Sequence, residues 1–167
     1  MSPKLDVAER ALARNLSWIG AADSKIPAVF AVDTAMLGVM AAVVPSEMSR
    51  AGTVVVAIAL AAAALLLVSV VMLAVAAFPR LAGPKGSVVY FGGVVALPEQ
   101  EYVERITNGP TAALLKDVAQ QAYRNAEIAS HKYRAVTWAM RLLFAGMLPW
   151  LAAIALVYGV SNATQGG

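Results

Sequence analysis

Residues 53–78 read TVVVAIALAAAALLLVSVVMLAVAAF, 26 residues without a single charge. A helix of that length runs about 39 Å at about 1.5 Å per residue, longer than the roughly 30 Å of bilayer hydrocarbon it would cross. Fourteen of its residues are Val, Ile, Leu or Phe, and each favours insertion by about 0.3–0.6 kcal/mol. On either side of it, residues 26–44 form a second apolar run interrupted only by Asp33, and residues 142–160 form a third. The whole chain of 167 residues is 60% hydrophobic and 14% charged, against about 45–50% and about 25% for soluble domains. The composition therefore predicts an all-α membrane protein of one domain with three transmembrane helices.

The flanks complete that plan. Leu5, Ala8, Leu12, Leu16 and Ile19 recur at helical spacing among Asp6, Glu9, Arg10 and Arg14, predicting an amphipathic helix over residues 1–24. Its mixed charge does not resemble a cleavable signal peptide. Residues 45–52 read as a polar turn, and residues 80–133 as a polar segment. Within that segment Ser87–Phe91 is either a short strand or a loop, Pro98 opens a short acidic helix, and Asn108-Gly109-Pro110 ends it. From Thr111 onward Leu114, Val118, Ala122, Ala126 and Ala129 mark one helical face, which continues without a breaker into the third span. Pro149 is the place for a kink there, and Trp150 and Tyr158 are candidate interfacial anchors. Of the 13 Lys and Arg residues only Arg50 lies between the first two spans. The positive-inside rule then puts the N-terminus and residues 80–133 in the cytoplasm and the C-terminus outside.

Charge inside the first span has a cost. A central Asp opposes insertion by about 2.5–3.5 kcal/mol, which nearly cancels the apolar residues around it. Asp33 must therefore be protonated, paired, or turned to water. Asp23 and Asp33 are ten residues apart and Lys132 and Arg141 nine apart, about 15 and 13.5 Å along parallel helices. The spacing predicts that Asp23 pairs with Lys132 and Asp33 with Arg141. Lys25 reads as a charge at the membrane boundary.

Several chemistries are excluded. There is no cysteine, and His131 is the one histidine, so neither a thiolate nor a multi-histidine metal centre can be built within one chain. No nucleophile elbow, phosphate loop or zinc-protease motif occurs, and the chain is not expected to be an enzyme or to need a cofactor. Nor does its positive charge, placed at one membrane face, point to a nucleic acid.

Three blocks resemble the Pycsar membrane effectors: WIGAADSKIPAVFAVDTAMLG at residues 18–38, VVYFGGVVAL at 88–97 and NAEIASHKYRAVTWAMRLL at 125–143. Their order and spacing cover nearly the whole chain. The resemblance implies an antiphage effector of the bacterial inner membrane. A partner cyclase would make cyclic CMP or cyclic UMP, and the effector would detect it and impair the membrane, arresting or killing the cell. Such a sensor needs cations and stacking groups on the cytoplasmic side. Arg124, His131, Lys132 and Arg134, with Tyr90, Phe91 and Tyr133, are the candidates for binding. Asp23, Lys25, Asp33 and Arg141 are the candidates for interhelical pairing and gating. Three spans are too few to enclose a wide pore, so homo-oligomers are expected, with a ring of Asp33 favouring cations. The alternatives are a small ion or proton transport subunit that uses Asp33, and a membrane scaffold that recruits a soluble partner.

Overall fold

The computed structural model describes residues 2–47, 52–79, 83–84 and 86–165. Six helices form among them: α1 (Pro3–Asp23), α2 (Ile26–Glu47), α3 (Thr53–Ala77), α4 (Phe91–Val94), α5 (Glu99–Asn108) and α6 (Thr111–Gln165). The α1–α2 run, α3 and α6 each contain a stretch long and apolar enough to cross a bilayer. The third apolar run is the end of one uninterrupted 55-residue helix, which continues through Pro149.

One open alternative resolves, in favour of the loop, and one boundary moves. The strand-or-loop segment at Ser87–Phe91 resolves into bends followed by α4, because the Tyr90 carbonyl accepts from the N–H groups of both Gly93 and Val94 at 2.9 Å and turns the chain into a helix. The polar turn begins later than residue 45, since α2 runs through Pro45 to Glu47. The rest of that turn, residues 48–51, lies outside the described residues, as do Arg80 and Lys85.

Between α1 and α2 the break is short and has a cause. Pro27 has no N–H to offer the Asp23 carbonyl four residues back, so the ladder lapses at Ser24 and Lys25. It resumes with the Val29 N–H donating to the Lys25 carbonyl at 3.2 Å.

Burial follows a repeat of seven. In α3 the buried residues are Val55, Ala59, Ala62, Leu66, Ser69, Leu73 and Ala76, a strict alternation of four and three. Val29, Asp33, Met36 and Met40 continue the pattern in α2, and Val118, Ala122, Ala129, Lys132, Val136, Ala139 and Leu143 in α6. This is the seam spacing of a left-handed coiled coil. Small residues let the helices approach closely, as expected where lipid supplies no hydrophobic drive to association. A Cβ on Gly146 would stand 3.3 Å from the Leu65 Cβ and 3.4 Å from the Leu66 Cδ2.

The chain divides into two compact units. A polar unit combines Met1–Asp23 with Phe78–Tyr133, and an apolar unit combines Ser24–Ala77 with Arg134–Gly167. The core of the apolar unit is Val29, Met36, Met40, Ala59, Ala62, Leu66, Leu73, Ala139, Leu143 and Ala153.

Candidate functional site

In the polar unit the chain after Gly86 is pinned to α6 by side chains that periodicity did not single out. Ser87, 3% exposed, accepts on its Oγ from the N–H groups of Val89 at 3.1 Å and Tyr90 at 2.8 Å. Asp117 Oδ2 accepts from the Val88 N–H at 2.7 Å, and Gln121, one turn later, reaches the Ser87 Oγ at 3.5 Å. Gly93 closes the same loop, since a Cβ there would lie 2.3 Å from the Ser87 carbonyl oxygen. Gly93→Ala should therefore loosen residues 87–91 at a cost of roughly 1–3 kcal/mol, read as faster limited proteolysis within that loop while α3 stays protected.

The pinned loop holds Tyr90 and Phe91 ring to ring, centroids 4.7 Å apart. They face a cavity of about 340 Å³ whose other walls include Leu12 and Leu16 of α1 and Arg124 and Asn125 of α6. Arg124 also borders a second, more open cavity of about 600 Å³ beside Lys116 and Tyr123. Its guanidinium is held by Glu127 at 3.0 Å. A third cavity, of about 420 Å³, lies by Ser87, Arg105, Lys116 and Asp117. These volumes suit a small ligand. An aromatic pair beside a guanidinium can stack a flat heterocycle and bind an anion. Among the described residues no group of three His, Cys, Asp or Glu is placed to hold a metal ion.

Of the candidate ligand residues, Tyr90, Phe91 and Arg124 come together. The others do not join them. Lys132 is buried and donates to Asp23 Oδ1 at 2.5 Å, so the predicted Asp23–Lys132 pair exists and commits the lysine to α1. Tyr133 packs edge-on to Trp18, centroids 5.9 Å apart. His131 and Arg134 are exposed and line none of the three cavities.

In the apolar unit the predicted Asp33–Arg141 pair does not form. Asp33 is wholly buried, not turned to water, and its Oδ2 lies 2.6 Å from the Ser69 Oγ. Arg141 stands over the Trp138 ring at 5.0 Å. The reason is helical phase: Ala139 and Leu143 occupy the buried seam, and Arg141, about 200° from each, points away. Trp150 donates its indole N–H to the Met36 carbonyl at 3.0 Å. Lys25 is exposed in the turn before α2.

Against known proteins, the pattern of the Pycsar effector protein domain matches residues 7–159. A Pycsar effector protein of Propioniciclava tarda is 30% identical over 156 residues, which cover 86% of this chain and 74% of that protein. No solved structure matches.

Proposed function

The chain belongs to the Pycsar effector protein family, and on that premise we propose that it is an antiphage effector that senses a cyclic pyrimidine mononucleotide and then impairs the bacterial inner membrane. A partner cyclase supplies cyclic CMP or cyclic UMP upon infection. The polar unit faces the cytoplasm, as the Lys and Arg distribution favours. Tyr90 and Phe91 stack the pyrimidine, and Arg124 takes the cyclic phosphate. Several copies assemble, because three spans enclose little.

The observation that carries this reading is the continuity of α6. The helix that presents Arg124 to the cavity is the same 55-residue helix that forms the third span. A ligand shifts a conformational equilibrium only by binding one state better than another. A ligand that fits only a repositioned α6 would have that differential affinity, and a continuous helix would carry the displacement into the membrane.

Proteoliposomes loaded with a self-quenched dye or a potential-sensitive probe test this. Cyclic CMP or cyclic UMP should release dye or collapse the potential, and cyclic AMP and cyclic GMP should not. Arg124→Ala should raise the concentration needed by tenfold or more, the equivalent of about 1.4 kcal/mol. Leakage without ligand would favour a constitutive transporter, and no response to any cyclic nucleotide would overturn the proposal.

A further inference from the structure

The buried acid of the first span has a hydrogen-bond geometry that fixes where one proton sits. The Ser69 Oγ lies 2.6 Å from Asp33 Oδ2 and 3.0 Å from the Ala139 carbonyl oxygen. The serine oxygen thus contacts two other oxygens, and its hydroxyl has one hydrogen to give. If Asp33 were ionised, both outer oxygens would be pure acceptors. One contact would then set lone pair against lone pair at hydrogen-bond distance. The other carboxyl oxygen, Oδ1, is also buried and meets no protein donor, an arrangement costly for an ionised group in an apolar core.

A hydrogen on Oδ2 resolves both conflicts. The carboxyl then donates to Ser69, Ser69 donates to Ala139, and Oδ1 becomes a neutral carbonyl oxygen, whose lack of a donor costs far less. The Ala139 carbonyl has a second lone pair and keeps its own helix bond.

Among the described residues the surroundings offer no competing cation. α3 contains no charged residue. On α6 within this unit Arg134 and Arg141 are the cations; both are exposed, and Arg141 is over Trp138. On the α2 side Lys25 is exposed, eight residues before Asp33.

We propose that Asp33 is a proton-binding site: in the closed bundle it is a neutral carboxylic acid that ties α2 to α3 and, through Ser69, to α6. Binding is a simple protonation of the carboxylate with no other bond made or broken. The ionised form then belongs to a state in which α2, α3 and α6 have parted and water reaches the group. An anionic Asp33 is accordingly a property of the opened assembly and not of the closed one. This assignment stands whichever ligand the polar unit takes, so its failure and that of the sensing proposal are separable.

Infrared spectroscopy on the full-length protein in vesicles, with and without ¹³C-labelled aspartate, tests it directly. At neutral pH the wild-type protein should show a protonated-carboxyl C=O band that shifts with the label and with deuterium and is missing from Asp33→Asn. An unlabelled-like spectrum with no such band would overturn the proposal. Stability gives a second measurement. The amide of Asp33→Asn can donate to Ser69 as the acid does, so this variant should melt within a few degrees of wild type, whereas Asp33→Ala and Ser69→Ala melt clearly lower. Asp33→Asn melting as low as Asp33→Ala would count against a donating carboxyl. Absence of the band from labelled wild-type protein overturns the proposal even if a substitution prevents folding, and Asp117→Asn, which should keep the band, excludes the other buried aspartate oxygen.

Discussion

Removing the carboxylate of Asp23 should destabilise the polar unit by roughly 3 kcal/mol, whereas Lys132→Met should cost about 1 kcal/mol or less. The two residues form one pair, yet their surroundings differ: the Lys132 side chain is 9% exposed and that of Asp23 44%. Deleting the acid leaves an ammonium in a low-dielectric seam where its counter-charge was. Deleting the amine leaves a carboxylate that water already reaches, and methionine fills the lysine's volume with an unbranched apolar chain. Asp23→Asn should fall between Asp23→Ala and wild type, since it keeps the acceptor oxygen and loses the charge. Pulse proteolysis of the purified protein in micelles would rank the variants. The double variant Asp23→Ala/Lys132→Met should match Lys132→Met alone. Equal losses from the two single substitutions would mean that burial of the lysine is not what makes the pair costly to break.

The same pair shows how much of the molecule is legible in its sequence. The spans, the continuous last helix and the Asp23–Lys132 contact follow from run length and from counting along parallel helices. The seam was harder. Reading α1 as an apolar face picks Leu16, and reading α6 picks Ala126. The structure exposes Leu16 and Ala126 and turns Asn15 and Asn125 toward the seam instead. Asn15 donates to the Ala122 carbonyl at 2.8 Å. A seam that repeats every seven residues drifts away from the 3.6-residue period of a straight helix, and its polar positions fix register. A search for apolar faces passes over them. Asp33 and Ser69 share this character: each looks like an interruption and each occupies the buried repeat. Arg141 falls off the seam because nine residues, the interval from Lys132, match the distance along the axis but not the angle around it. The Ser87–Asp117–Gln121 cluster left only a faint trace, two polar residues four apart on α6, and its partner lies some thirty positions away in sequence. Side-chain capping of an irregular loop has no period to find.

Thr137→Pro should separate sensing from membrane action, and it bears on the proposal that α6 transmits the signal. Thr137 is exposed, so the substitution leaves the packed seam intact. Proline there removes the N–H that would bond the Tyr133 carbonyl and drives its ring against that carbonyl, at a local cost of about 3 kcal/mol. The lost bond falls where the polar unit ends, since Tyr133 is its last residue. Trp18 still has Tyr133 to pack against, Lys132 still has Asp23, and the cavity by Arg124 lies three turns earlier. Cyclic-nucleotide affinity should consequently stay within about threefold of wild type, a difference of less than about 0.7 kcal/mol, while ligand-driven leakage from proteoliposomes should fall more than tenfold. Thr137→Ala, which keeps the helix, should leave both unchanged. Thr137→Gly, about 1 kcal/mol less favourable in a helix than Thr137→Ala, supplies an intermediate case should the proline variant fail to accumulate. Full leakage from a Thr137→Pro protein that binds normally would show that the membrane response does not travel along α6. The response would then have to pass through one of the two other places where the chain crosses between the units, the Asp23–Ser24 step beside the break that Pro27 imposes, or the Ala77–Phe78 step at the end of α3.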